Sequence, residues 1–190
     1  MNSEDQLLNE LIRKRTDAIK VLYEQHAPSL LSLCLRYCGN VEDAEDVLHD
    51  GFIKIIKNLH TFKPRDNGSF TGWMKRIMVN SSLNHLRARS KDKRFTDIDP
   101  LVEKITITEE EETDSPINPE KYSKELIMNM ICELPAGYRA VFNMYVFEEY
   151  THREIAGIMN FTENTSKSQL SKARAMLKKK LNQLTIKQTT

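Results

Sequence analysis

The chain has 190 residues, with 28 Lys and Arg against 27 Asp and Glu, so a formal net charge of +1 selects no partner by global charge. Hydrophobic residues make up 39% and charged residues 29%, which fits small helical units with much exposed surface, and six Gly and six Pro exclude collagen-like, low-complexity and turn-rich all-β architectures. Three Cys argue against a secreted disulfide scaffold, no apolar run approaches the roughly 20 residues of a membrane span, and the charged start MNSEDQLLNELIRKRTD lacks a signal-peptide core, so the expected location is cytoplasmic.

Taken in chain order, residues 5–37 have helical spacing: Leu7, Leu8, Leu11 and Ile12, then Ile19, Leu22 and Tyr23 recur at three- and four-residue steps. Pro28 predicts the start of a new helix over about 28–38, where its missing N–H costs nothing; that helix buries Leu30, Leu31, Leu33, Cys34 and Tyr37 and ends at Gly39-Asn40. Cys34 and Cys38, four apart on an apolar helix, read as core thiols rather than as metal ligands with His26, and Cys132 also reads as core; no metal or cofactor is expected. A further helix, VEDAEDVLHDGFIKIIKNLHTF, has an apolar stripe of Ala44, Val47, Leu48, Phe52, Ile55, Ile56 and Leu59. Acids at Glu42, Asp43, Glu45, Asp46 and Asp50 crowd its first turns beside His49; the helix dipole accounts for some of them, and an acidic docking face for a basic partner accounts for the number.

The loop KPRDNGSF follows, then the helix TGWMKRIMVNSSLNHLRARSKDKR. Trp73, Ile77, Leu83 and Leu86 face a core, while Lys75, Arg76, Asn80, Asn84, Arg87 and Arg89 face outward. Such a strip suits nucleic acid, because cations neutralise phosphate and amides read base edges. The loop residues Lys63, Arg65, Asp66, Asn67 and Ser69, beside Phe62 and Phe70, suit an unstacked base.

Local charge divides the chain. Residues 1–96 carry 16 basic and 12 acidic side chains, 97–120 one and nine, and 121–190 eleven and six. With Pro100, Pro116, Pro119 and the run Glu109 to Glu112, residues 96–120 read as an acidic flexible linker between units 1–95 and 121–190. In the second unit, helices are expected over 121–133 and about 135–148, broken at Leu134-Pro135. Thr151 with Glu154 forms a capping-box pattern before REIAGIMN, Asn160-Phe161 supplies a turn, and Thr162 caps a last helix whose core side is Leu170, Ala173 and Leu177. Two short helices about a tight turn, with Thr165, Ser166, Lys167, Ser168, Gln169, Ser171, Lys172 and Arg174 outward on the second, spell a helix-turn-helix. The fold class is all-α, in two small helical domains.

These segments, in this order, resemble a sigma factor of the sigma-70 family, and the acidic linker in place of a middle region resembles the extracytoplasmic-function (ECF) subfamily. DAEDVLHDGFIKIIKNLHTF resembles the polymerase-binding helix of region 2, SFTGWMKRIMVNSSLNHLRARSK its promoter-melting and −10-reading helix, and LPAGYRAVFNMYVFEEYTHREIAGIMNFTENTSKSQLSKARAMLKKKL the −35-binding region 4. The resemblance implies a non-enzymatic factor whose partners are core RNA polymerase, promoter DNA and an anti-sigma protein. It implies that Asp46, His49 and Asp50 meet the large polymerase subunit. Lys63, Arg65, Asp66, Asn67, Ser69 and Phe70 would form the pocket for a flipped base, with Lys75, Arg76, Asn80, Asn84 and Arg87 on the adjoining helix. Ser166, Lys167, Ser168, Ser171 and Lys172 fall at major-groove positions, and Arg153, Thr165 and Arg174 at phosphates; Ser166 stands where the family usually has an apolar residue. The competing readings are a stand-alone helix-turn-helix regulator and an interaction protein that uses only the acidic helix.

Overall fold

The computed structural model describes residues 16–63, 69–89 and 122–188, with side chains placed up to residue 184. The helical spacing expected at 5–15, Arg65, Asp66 and Asn67 of the loop, and the linker 96–120 lie outside the described residues. The chain divides between Ala88 and Arg89 into two compact units. Among the described residues every regular element is helical: α1 Thr16–Cys38, α2 Val41–Asn58 with a 3-10 turn at Leu59–Thr61, α3 Phe70–Arg89, α4 Lys124–Cys132, α5 Ala136–Val146, α6 His152–Met159 and α7 Glu163–Gln188.

The first helix corrects one expectation. Pro28 does not begin a helix; it lies inside α1, which runs unbroken to Cys38. A mid-helix proline removes one backbone bond and crowds the preceding turn, at a cost of about 3 kcal/mol. Here it is exposed, and the apolar stripe continues across it through Leu22, Ala27, Leu30 and Leu33, all buried. Burial of such side chains contributes roughly 1.5–3 kcal/mol each, so packing outweighs the break. Two hydroxyls bond the carbonyls nearby: Ser29 Oγ donates to His26 O at 3.0 Å and Ser32 Oγ to Pro28 O at 3.1 Å. Gly39, at φ 84°, ends the helix in the left-handed region that glycine enters without strain, and its N–H bonds Leu35 O at 2.8 Å.

Asn40 then caps α2, its Oδ1 accepting from Asp43 N at 2.9 Å. The buried side of α2 consists of Ala44, Val47, Leu48, Gly51, Phe52 and Ile55. Opposite it, α3 buries Phe70, Trp73, Met74, Met78, Val79, Ser81, Ser82, Leu83 and Leu86. The two helices approach closely at Gly51, where an added Cβ would fall 2.3 Å from Met78 Sδ and 2.8 Å from Cε. Polar contacts flank that point: Lys54 Nζ donates to Ser81 Oγ at 3.0 Å, and His85 Nε2 lies 3.4 Å from Asp43 Oδ1. Cys34 and Cys38 are buried, and burial pushes the Cys34 thiol up to about 11.

The second unit has a core of Leu134, Tyr138 and Ala173 with Phe142, Met176 and Leu177 packed on it. Ser123 caps α4 by accepting from Leu126 N at 3.2 Å. Arg139 is buried and donates through Nη1 to Cys132 O and, at 3.1 Å, to Leu134 O, so a guanidinium satisfies the carbonyls left at the end of α4. Cys132 is half-buried rather than core.

The Gly51–Met78 approach yields a test. Gly51→Val should destabilise the chain by roughly 1–3 kcal/mol through overpacking, measured by urea unfolding. Combined with Met78→Ala, the loss should be smaller than the sum of the two single losses, because the shorter side chain frees the space the valine needs.

Candidate nucleic-acid and protein interfaces

The acidic side of α2 is the surface its packing leaves over. Asp46, His49 and Asp50 are exposed, as are Glu42 and Glu45, while Asp43 turns toward Asn40 and His85. Among the described residues Asp46 and Asp50 make no ion pair, so no described cation neutralises them. His49 is braced from α1: its ring lies parallel to that of Tyr23, 6.5 Å between centroids, and Tyr23 in turn packs on Phe52 at 4.8 Å. Sequence reasoning missed Ile53, which is 49% exposed and follows His49 and Asp50 at four- and three-residue steps. Its signal was visible, because an isoleucine outside the apolar stripe of an amphipathic helix has no core to fill.

On α3, Lys75, Arg76, Asn80, Asn84, Arg87 and Arg89 are all exposed. Arg76, Asn80, Asn84 and Arg87 follow one another at four-, four- and three-residue steps and so share one stripe, with Arg87 Nη1 donating to Asn84 Oδ1 at 2.9 Å. The helix is held from its other side. Phe62, Phe70 and Trp73 form an aromatic cluster with centroids 5.1 to 5.7 Å apart, which pins the two ends of the 63–69 loop together. This corrects the expectation for Phe70: at 3% exposure its ring is a core anchor and is not presented to a base. Ser69 is exposed and caps α3, its Oγ accepting from Gly72 N at 3.0 Å; Lys63 is exposed at the other end of the loop.

In the second unit Thr151 and Glu154 close the capping box, Glu154 N donating to Thr151 Oγ1 at 3.3 Å and Thr151 N to Glu154 Oε2 at 2.8 Å. The Thr151 hydroxyl, donating to Glu154 Oε2 at 2.7 Å, and then the Thr151 N–H lower the Glu154 carboxyl below its usual range. Asn160, at φ 60° and ψ 48°, makes the left-handed turn that aims α7 away from α6. Thr162 caps α7, its Oγ1 accepting from Thr165 N at 3.1 Å and lying 2.9 Å from Thr165 Oγ1. Lys167, Ser168, Ser171 and Arg174 are exposed, as is Arg153 on α6, and Thr165 and Lys172 are half-exposed. Asn164, which the sequence reading did not single out, is exposed three, four and seven residues before Lys167, Ser168 and Ser171 and belongs to the same surface.

Ser166 also departs from its expected place. It is fully buried, so it meets no groove; its Oγ lies 2.8 Å from His152 Nδ1 and ties the start of α7 to the start of α6. A polar group takes an apolar seat here because its hydroxyl has a partner. Gln169, expected outward, is likewise buried. His152 stacks on Tyr145 at 4.6 Å, and the Arg174 guanidinium lies 5.7 Å from the same tyrosine ring centroid.

The two units thus present an amide-and-cation helix and a helix-turn-helix, which together define a factor with two nucleic-acid-binding modules. Residues 22–92 match the family described as Sigma-70 region 2, and residues 124–177 match Sigma-70, region 4. The RNA polymerase sigma-H factor of Pseudomonas aeruginosa is 30% identical over 190 residues, spanning 95% of each chain. The ECF RNA polymerase sigma factor SigW of Bacillus subtilis is 29% identical over 173 residues, 88% of this chain and 91% of the relative. Among solved structures, the sigma factor RpoE in complex with the anti-sigma factor NepR from Bartonella quintana matches with a TM-score of 0.52 at 19% identity, covering 86% of this chain and 96% of that one. The chain belongs to the sigma-70 family, as an RNA polymerase sigma factor of the ECF type.

The His152 imidazole is pushed below its ordinary value, first by burial, then by the Lys167 and Arg174 cations, with Glu163 opposing. A histidine with a lower folded than unfolded pKa binds more protons when unfolded. Its stability contribution is therefore intact above about pH 6.5 and lost as pH falls from there through the folded value. Urea unfolding on either side of that pH should show the loss in the wild type and a smaller one in His152→Gln; an equal loss in both would remove His152 as its source.

Proposed function

We propose that this sigma factor acts by binding alone: it joins core RNA polymerase through the exposed side of α2, sets two DNA-reading units on the promoter, and helps open the duplex at the −10 element. The observation that carries the reading is the exposed Arg76–Asn80–Asn84–Arg87 stripe on a helix whose opposite side is anchored in the core. Cations there neutralise phosphate while amides meet base edges. Opening requires a base to leave the stack, which costs a few kcal/mol. Lys63, Arg65, Asp66, Asn67 and Ser69 would receive it, with Phe70 supporting the pocket from beneath.

In the C-terminal unit, Asn164, Lys167, Ser168, Ser171 and Lys172 would read the −35 major groove, and Arg153, Thr165 and Arg174 would meet phosphates. The acidic stretch 96–120 would link units 1–95 and 121–190, leaving the polymerase to set their spacing. Asp46, Asp50 and the apolar Ile53 between His49 and Lys57 give a charged rim with a hydrophobic anchor, the composition of a protein interface hot spot. An anti-sigma protein is a further partner in this reading, as in the Bartonella complex, and contact with polymerase would take place in the cytoplasm. A stand-alone helix-turn-helix regulator would use α6 and α7 but would leave the α3 stripe without a task.

Run-off transcription with core polymerase on genomic fragments of the source organism tests the whole reading: promoter-dependent transcripts are expected, and their absence despite core binding overturns it. Asp50→Arg should weaken core binding and leave the unfolding midpoint unchanged. Lys172→Ala should cost about 1–3 kcal/mol of −35 discrimination with core affinity intact; a simultaneous loss of both would signal misfolding instead.

A further inference from the structure

We propose that Tyr145, on α5 and outside the helix-turn-helix, is a positioning residue for the DNA-facing side of α7: its ring seats the Arg174 guanidinium ahead of the DNA. The inference rests on the reading that Arg174 meets the sugar–phosphate backbone.

Tyr145 is 37% exposed, and its ring is fixed from outside its own helix. His152, the first residue of α6, stacks on it with centroids 4.6 Å apart and planes 23° apart. His152 is itself held, since its Nδ1 lies 2.8 Å from the Oγ of fully buried Ser166 on α7. The tyrosine ring is therefore braced through the same contact that sets α7 against α6. Arg174 Cζ lies 5.7 Å from its centroid, within the roughly 6 Å over which a ring quadrupole attracts a cation.

How Arg174 is held matters. Among the described residues it has no carboxylate partner. A salt bridge would occupy its N–H donors and would have to break before a phosphate could bind. A ring face fixes the guanidinium and leaves those donors available. Arginine side chains lose considerable rotamer freedom on binding, so ordering this one in advance lowers the cost of the contact. The lowered basicity of His152 fits the same arrangement, because a neutral imidazole beside Tyr145 does not repel the arginine.

The experiment is a double-mutant cycle in the assembled holoenzyme, on a duplex promoter fragment found by run-off transcription. Tyr145→Ala should weaken the complex roughly twofold to fivefold when Arg174 is present and have no effect in an Arg174→Ala background. Arg174→Ala should reduce the salt dependence of binding by about one phosphate contact, whereas Tyr145→Ala, which keeps the cation, should leave it unchanged. Tyr145→Phe should behave as wild type, whereas Tyr145→Leu, similar in apolar bulk but without a ring, should match alanine. An equal loss in both backgrounds, no loss at all, or a loss in Tyr145→Phe overturns the proposal. If Arg174→Ala alone changes nothing, the phosphate role of Arg174 falls, and the proposal with it. Unfolding midpoints of each variant separate a folding defect from a binding one.

Discussion

The close approach of α2 and α3 at Gly51 and Met78 is the constraint on which the surfaces of the N-terminal unit depend. A helix that shows cations to a polyanion, or acids to a basic partner, has to be held by something other than those charges. Here the holding force is burial. Met78, Met74 and Leu83 are fully enclosed on one side of α3, and Leu48, Phe52 and Ile55 on the facing side of α2. Like charges on each exposed face repel one another, at a cost of tenths of a kcal/mol per neighbouring pair. Each buried apolar side chain contributes several times that. The unit can therefore concentrate acids on α2 and bases on α3 without losing its fold.

The C-terminal unit meets the same requirement with more polar means. Three of its helices, α4, α5 and α6, have only 9, 11 and 8 residues, so their ends matter more than their length. Ser123, Thr151 and Thr162 each cap the helix that follows, and Arg139 satisfies carbonyls at the end of α4. The angle between α6 and α7 is set by Asn160 in the left-handed region and by the His152–Ser166 contact. Among its described residues Arg139 is the one buried charge, and it is directed at carbonyl oxygens. The exposed row of Lys167, Ser168 and Ser171 follows from which side of α7 those contacts bury.

Much of this was legible in the sequence, and the reasons differ by element. The α2 stripe and the outward strip of α3 could be read because a period of 3.6 separates buried from exposed residues whatever the partner helix. The capping box at Thr151 and the turn at Asn160 are local chemistry and need no tertiary knowledge. Pro28 misled because a local rule was overridden by packing on both sides of it. Phe70 and Ser166 misled for a related reason: position along a helix gives the face, but only the neighbouring element shows whether that face is covered. Phe62 and Trp73 cover Phe70, and His152 covers Ser166. Met74, Met78 and Val79 were missed as core residues, and Ile77, expected among them, is only half-buried, because the buried arc of α3 is wider than positions 73, 77, 83 and 86 imply and is displaced from 77. The contact of Tyr145 with Arg174, 29 positions apart, has no signature in spacing at all.

The glycine at 51 has one more consequence, which concerns oxidants. The Met78 thioether occupies the space a side chain at 51 would need, and it is shielded from solvent while the unit is closed. Converting that sulfur to a sulfoxide would make an apolar side chain polar in the most enclosed part of the unit. The packing that leaves position 51 without a side chain thus also keeps this thioether away from dissolved peroxide for as long as α2 and α3 stay together.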